Sequence, residues 1–236
     1  MFELHLGENL RISSDKFKEG FFVTGNPGQG KTTFLVQLAL EVIKNKQTGL
    51  IIDPYGDFAK DIQSHLKSDD AKQQVEFTNL DINQDELNSA LKEKVIVATG
   101  NYLTEGNRVT AQKIQKLLKQ FYTQAQADQW LIVDEPLSCI DDELFEHFIT
   151  STEKGLNCVF SDSDFVKLSE DERAKFAKAV QNFVIYKPRN INSVLMAKER
   201  PVLNPDDIKA IKQYYFQILL DGKMSYIKSL FPIKDI

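Results

Sequence analysis

The sequence predicts an α/β fold: a mostly parallel central sheet flanked by helices, followed by a β-hairpin late in the chain. Three observations carry that expectation. Short runs of large apolar residues recur between helix-length stretches, and such runs suit strands buried on both faces of a parallel sheet. The run 20–24 passes directly into Gly25-Asn26-Pro27-Gly28-Gln29-Gly30-Lys31-Thr32-Thr33, with a helical pattern behind it. The run 129–133 ends in two acids, Asp134 and Glu135. A length of 236 residues suffices for one ample domain with its own core, and the whole chain is expected to be that single domain.

Residues 1–20 alternate loosely around Leu4, Leu6, Leu10 and Ile12, which predicts an edge strand or hairpin packed beside the first core strand. That core strand is Gly20-Phe21-Phe22-Val23-Thr24. The loop after it fits G-x-x-x-x-G-K-[ST] at every fixed position. Its glycines let successive backbone N–H groups turn inward with no Cβ in the way, so the loop forms an anion-sized nest capped by the following helix. Residues 25–33 are therefore the expected cradle for ATP. Lys31 would reach the β- and γ-phosphates, and Thr32 would offer its hydroxyl to Mg²⁺, a hard cation that prefers oxygen.

Phe34, Leu35, Leu38 and Val42 give the next stretch a helical period. Thr48-Gly49-Leu50-Ile51-Ile52-Asp53 then reads as a strand, closed by the turn Pro54-Tyr55-Gly56-Asp57, which opens a helix over 58–66. Asp53 has two readings: a carboxylate at the ligand-bearing edge of the sheet, or turn chemistry. Strands over 74–80 and 93–98 flank a polar helix over 84–92. A helix over 108–122 carries Ile114, Leu117, Leu118 and Phe121 on one face, while Arg108, Lys113, Lys116 and Lys119 make it basic, most simply as a solvated face.

Gln129-Trp130-Leu131-Ile132-Val133-Asp134-Glu135 has the form of a Walker B strand. Asp134 at its tip would hold Mg²⁺ through water or through Thr32, and Glu135 would sit where a water attacks the γ-phosphate. A helix over 144–152, strands over 155–161 and 182–186, and a hairpin over 214–229 around Asp221-Gly222 complete the pattern.

Composition narrows the function. The net charge of −5 argues against indiscriminate nucleic-acid binding. Within 187–234, however, nine basic residues face four acidic ones, the one compositional hint of a polyanionic partner. Cys139 and Cys158 are too few for a disulfide framework or a cysteine zinc site and suit a reducing, cytoplasmic setting. No apolar run approaches the ~20 residues that span a bilayer, and residues 1–20 lack the pattern of a signal peptide. His5, His65 and His147 have no ligand spacing, and no Ser–His or Cys–His arrangement is legible.

The order of these motifs resembles the FtsK/HerA superfamily of RecA-like P-loop motor ATPases. Asp53-Pro54-Tyr55-Gly56-Asp57 is similar to the D-P-x-G-[DE] turn of HerA-type ATPases and type IV secretion coupling proteins. The compact length and the hairpin are similar to the small genome-packaging ATPases of membrane-containing viruses. The resemblance implies a RecA-like core and a homo-oligomeric, hexameric ring that draws duplex DNA through its centre at the expense of ATP. A viral setting would add a virion location and a membrane- or capsid-associated partner. Two places depart from the family pattern. Ser161-Asp162-Ser163-Asp164 stands where a polar sensor, often Gln, ends the strand after Walker B. Ser151-Thr152-Glu153-Lys154 stands where an Arg often precedes the Gly-Leu pair. Arg189 is then the candidate finger for a neighbouring subunit's γ-phosphate. Two other classes share the loop: a small-molecule kinase, disfavoured by few arginines and by the Asp134-Glu135 pair, and a nucleotide-dependent scaffold with weak hydrolysis.

Overall fold

Strands apolar on both faces need helices on both sides of their sheet, and the chain supplies them by alternation. The computed structural model describes residues 2–135, 142–163, 165–229 and 233–236. The chain begins with a hairpin of β1 (Glu3–Gly7) and β2 (Leu10–Ser13), then β3 (Phe21–Thr24), α1 (Lys31–Lys44), β4 (Gly49–Asp53), α2 (Asp57–His65), α3 (Asp69–Gln73) and β5 (Val75–Asn79). It continues through α4 (Gln84–Ala90), β6 (Val95–Thr99), α5 (Tyr102–Glu105), α6 (Asn107–Gln124), β7 (Trp130–Asp134), α7 (Asp142–Glu153) and β8 (Asn157–Asp162). The last part holds α8 (Glu170–Ala179), β9 (Asn182–Ile185), α9 (Asn190–Glu199), α10 (Pro205–Lys209), β10 (Tyr215–Leu220) and β11 (Lys223–Lys228).

Among the described residues a nine-stranded sheet runs β11-β10-β9-β3-β8-β7-β4-β6-β5. Its strands from β9 to β5 are parallel, and β10 and β11 add an antiparallel hairpin at one edge. Strand period two splits each strand between two cores. Leu50, Ile52, Leu131 and Val133 join the core beneath α6, whereas Ile51, Trp130 and Ile132 join the one beneath α1 and α2.

The placement of the amino-terminal residues corrects the sequence reading. Both edges of β3 are occupied, by β8 and by β9, so no strand from 1–20 can lie beside it. Instead β1 and β2 form a separate two-stranded sheet. The reason lies in α1, which is apolar nearly all round: Val36, Leu40 and Ile43 are buried along with Phe34, Leu35, Leu38 and Val42. A helix of that kind must be covered on both sides. The sheet covers one side, and Leu4, Leu6 and Ile12 of the hairpin belong to the same core cluster, with Gln37 Nε2 donating to the His5 carbonyl at 3.3 Å.

Cys158 is a buried thiol of β8, its pKa pushed up to about 12 by burial. Cys139 and Asp164 lie outside the described residues. Among the described residues, no helix is long and apolar enough to cross a membrane.

Candidate nucleotide site

The loop between β3 and α1 is held from one side by the chain that leaves β9. Asn26 N–H donates to the Lys187 carbonyl at 3.0 Å, and Tyr186 N–H donates to Thr24 at 2.8 Å. Tyr186 also explains two of the glycines. A Cβ on Gly25 would lie 2.6 Å from the Tyr186 Cβ, and one on Gly30 would lie 3.1 Å from its ring. Both glycines have positive φ, 151° and 114°, as does Gly28 at 73°, a region that side chains rarely tolerate. Asn26, Pro27 and Gln29 fill the turn between them, and α1 starts at Lys31 with Thr32 and Thr33 in its first turn.

Lys31 is almost wholly buried, and its Nζ curls back to donate to the Gly25 carbonyl at 3.0 Å and the Asn26 carbonyl at 3.4 Å. Burial holds its pKa below the usual lysine value, against the pull of Glu135, Asp134 and Asp162. Those three carboxylates come from the ends of neighbouring strands: Asp134 closes β7 and pairs in register with Ser161 of β8, and Asp162 pairs with Thr24 of β3. Burial pushes Asp134 up to about 7, with Glu135 and Asp53 adding to the effect and Lys31 opposing it. Asp162, which the sequence noted only within its Ser-Asp run, is fully buried, with Lys167 Nζ at 3.8 Å.

Glu135 adopts a left-handed backbone, φ 50°, a conformation that costs a non-glycine residue about 1–2 kcal/mol. It is held there. Its N–H donates to the Ser161 carbonyl at 2.6 Å, Ser163 Oγ donates to its Oε1 at 3.0 Å, and the Tyr55 hydroxyl donates to its Oε2 at 3.5 Å. Asn192 of α9 supports Ser163 in turn, donating from Nδ2 to the Ser163 carbonyl at 3.0 Å.

The turn after β4 resolves the two readings of Asp53. Its carboxylate accepts from the N–H groups of Tyr55 at 3.1 Å, Gly56 at 2.9 Å and Ala59 at 2.8 Å, so it shapes the turn and caps the first turn of α2. Burial raises its pKa against those three donors. In shaping the turn, Asp53 delivers Tyr55 to Glu135.

The fold has well-defined counterparts. The genome packaging NTPase B204 from Sulfolobus turreted icosahedral virus 2, in complex with AMPPCP, superposes with a TM-score of 0.62 at 14% identity, covering 91% of this chain and 100% of that one. The bacterial conjugative coupling protein TrwB gives 0.70 at 10% identity, covering 99% and 89%. VirB4 of Thermoanaerobacter pseudethanolicus gives 0.67 at 11% identity, covering 96% of each chain. This is the fold of the FtsK/HerA-type P-loop ATPases. No protein-family model matches the sequence, and no curated protein matches it significantly.

Within the FtsK/HerA-type fold, the donors at this site suit a hard cation. The Thr32 hydroxyl and the Asp134 carboxylate are oxygens. Among the described residues no three His, Cys, Asp or Glu side chains converge on a metal position, so a cation here would draw its other ligands from phosphate and water. Arg189 is the exposed N-cap of α9, just beyond the Tyr186–Lys187 brace of the loop. The basic residues behave less as a stripe than the sequence suggested. Lys113 is bound by Asp81 at 2.7 Å and Glu105 at 2.8 Å. Lys198, Lys209 and Lys228 face Glu170, Asp206 and Glu8 at 2.6, 3.3 and 3.1 Å.

Proposed function

We propose that the chain binds Mg-ATP and hydrolyses it, and that it works as a homo-oligomeric, hexameric ring that translocates or packages duplex DNA. The observation that carries this reading is the meeting of the glycine loop with Asp134 and Glu135 around Lys31. Backbone N–H groups of residues 25–33 cradle the phosphates, and Lys31 leaves its two loop carbonyls for the β- and γ-phosphates. Thr32 and Asp134 hold the cation, which when bound neutralises charge on the transferring phosphoryl group. Glu135 orients the attacking water, and Arg189 reaches the neighbouring subunit's γ-phosphate. Support for DNA as the cargo comes from the fold's likeness to a genome packaging NTPase and a conjugative coupling protein.

The test is ATP turnover with and without duplex DNA, together with oligomer size in the presence of nucleotide. The expected result is a DNA-stimulated rate and a ring. Lys31→Ala should weaken ATP binding at least ~100-fold with an unchanged fold, because its Nζ bonds only loop carbonyls. A protein that stays monomeric with ATP and binds no DNA at low salt would overturn the motor. One observation favours a second reading, a nucleotide-dependent scaffold with weak hydrolysis: Glu135 is tied to Ser163 and Tyr55 rather than facing open water.

A further inference from the structure

Beside the phosphate loop lies a cavity of about 240 Å³ that no step above uses. One wall is the loop itself, Gly28 to Thr33, and the other is Gln213, Tyr214 and Ser229 from the two ends of the β10–β11 hairpin. It is smaller than the roughly 300–1,000 Å³ of pockets that hold a whole ligand, so it fits part of one.

Sheet order says which part. The acids at the ends of β7 and β8 lie on one side of β3, and β9 and β10 lie on the other. The γ end of a nucleotide belongs beside Lys31 and the acids, so the remainder extends past Thr33 toward β10. There Tyr214 stands 58% exposed, with a left-handed φ of 66°. Its backbone is fixed on both sides: its carbonyl accepts from Ser229 N–H at 2.8 Å, and Lys212 N–H donates to the Tyr226 hydroxyl at 3.0 Å. A large aromatic side chain at a strained backbone position, outside the core and against the loop, is a platform in search of a flat partner.

Resting on the nucleotide reading above, we propose that Tyr214 stacks on the base of the nucleotide and that the Gln213 amide, both donor and acceptor, meets the base edge. The site thus takes a nucleoside triphosphate in preference to a bare polyphosphate chain. Base–aromatic stacking of this kind is sequence-tolerant and substantial.

The experiment compares ATP with inorganic tripolyphosphate, each with Mg²⁺, by calorimetric titration of the full chain. Wild type should bind ATP more tightly than tripolyphosphate. Tyr214→Gly removes the ring while easing the positive φ. It should lose on the order of tenfold in ATP affinity and leave tripolyphosphate affinity unchanged, whereas Tyr214→Phe should retain both. If Tyr214→Gly weakens both ligands equally, or leaves ATP untouched, the proposal is wrong. If wild type binds tripolyphosphate as tightly as ATP, the base site is overturned while the phosphate loop stands. If wild type binds neither, both readings fall together.

Discussion

The two flanks of the phosphate loop are built from different materials. Toward β8 and β7 the strand ends carry Asp162, Asp134 and Glu135, buried or half-buried and bound into a network with Ser163 and Tyr55. Toward β9 and β10 they carry Tyr186, Gln213 and Tyr214, with no carboxylate lining the cavity. Charge is what a hydrolytic step needs, since it must meet a cation and a developing transition state. Flat, neutral surface is what holding a base needs. One sheet edge therefore separates turnover from recognition, and variants on the two sides should separate kinetically.

The largest effect is expected on the acidic side. Glu135→Gln should lower kcat by on the order of 10²–10³-fold while ATP affinity changes little, because its carboxylate acts on the reaction more than on the ground state. Equal turnover in wild type and variant would remove Glu135 from the chemistry. Ser163→Ala should follow with a loss of about tenfold in kcat and an unchanged KM, the measure of one hydrogen bond to a charged group. Ser163→Thr, which keeps the hydroxyl, should restore the rate. If the alanine variant is instead faster, the bond restrains Glu135, and the scaffold reading gains.

The smallest effect is on stability. In the folded chain Asp134 keeps its proton up to about pH 7, whereas the unfolded chain releases it in the ordinary carboxylate range. The unfolded state then binds fewer protons across that window, so stability without nucleotide should fall as pH rises through it. Asp53 acts in the same direction. Asp134→Asn should flatten the slope and raise the thermal midpoint by a few degrees at pH 8, on a scale of about 2–4 °C per kcal/mol for a chain of this size. An unchanged pH profile in the variant would place the titration elsewhere.

How far these features were legible varies with their physics. β3, β4, β7 and β8 were readable because parallel strands buried on both faces leave continuous apolar runs. The loop and the acid pair carry fixed spacings. By contrast α9 gave no signal, because its pattern is inverted: Asn192 and Ser193 are fully buried, while Ile191 and Val194 are more than half exposed. Asn192 is inside because it bonds the Ser163 carbonyl and the Val166 N–H, a duty that periodicity does not encode. α8 was missed despite its capping box of Ser169 and Glu172, since its ten residues bury little beyond Phe176 and Ala177. Tyr214 was read only as the start of a hairpin. Its place beside Thr33 follows from sheet order, which a sequence does not state.

The brace between Asn26 and Lys187 has a consequence for how the chain is assembled. β3 has for neighbours only strands that come much later, β8 and β9, and the loop is tied to residues beyond even those. Contacts of such long sequence separation form slowly, because the entropy of closing the loop comes before any reward. During synthesis the glycine segment emerges early and stays without its supports until β9 has left the ribosome. The nucleotide cradle is thus among the last parts of the molecule to be finished, although its residues are among the first to be made.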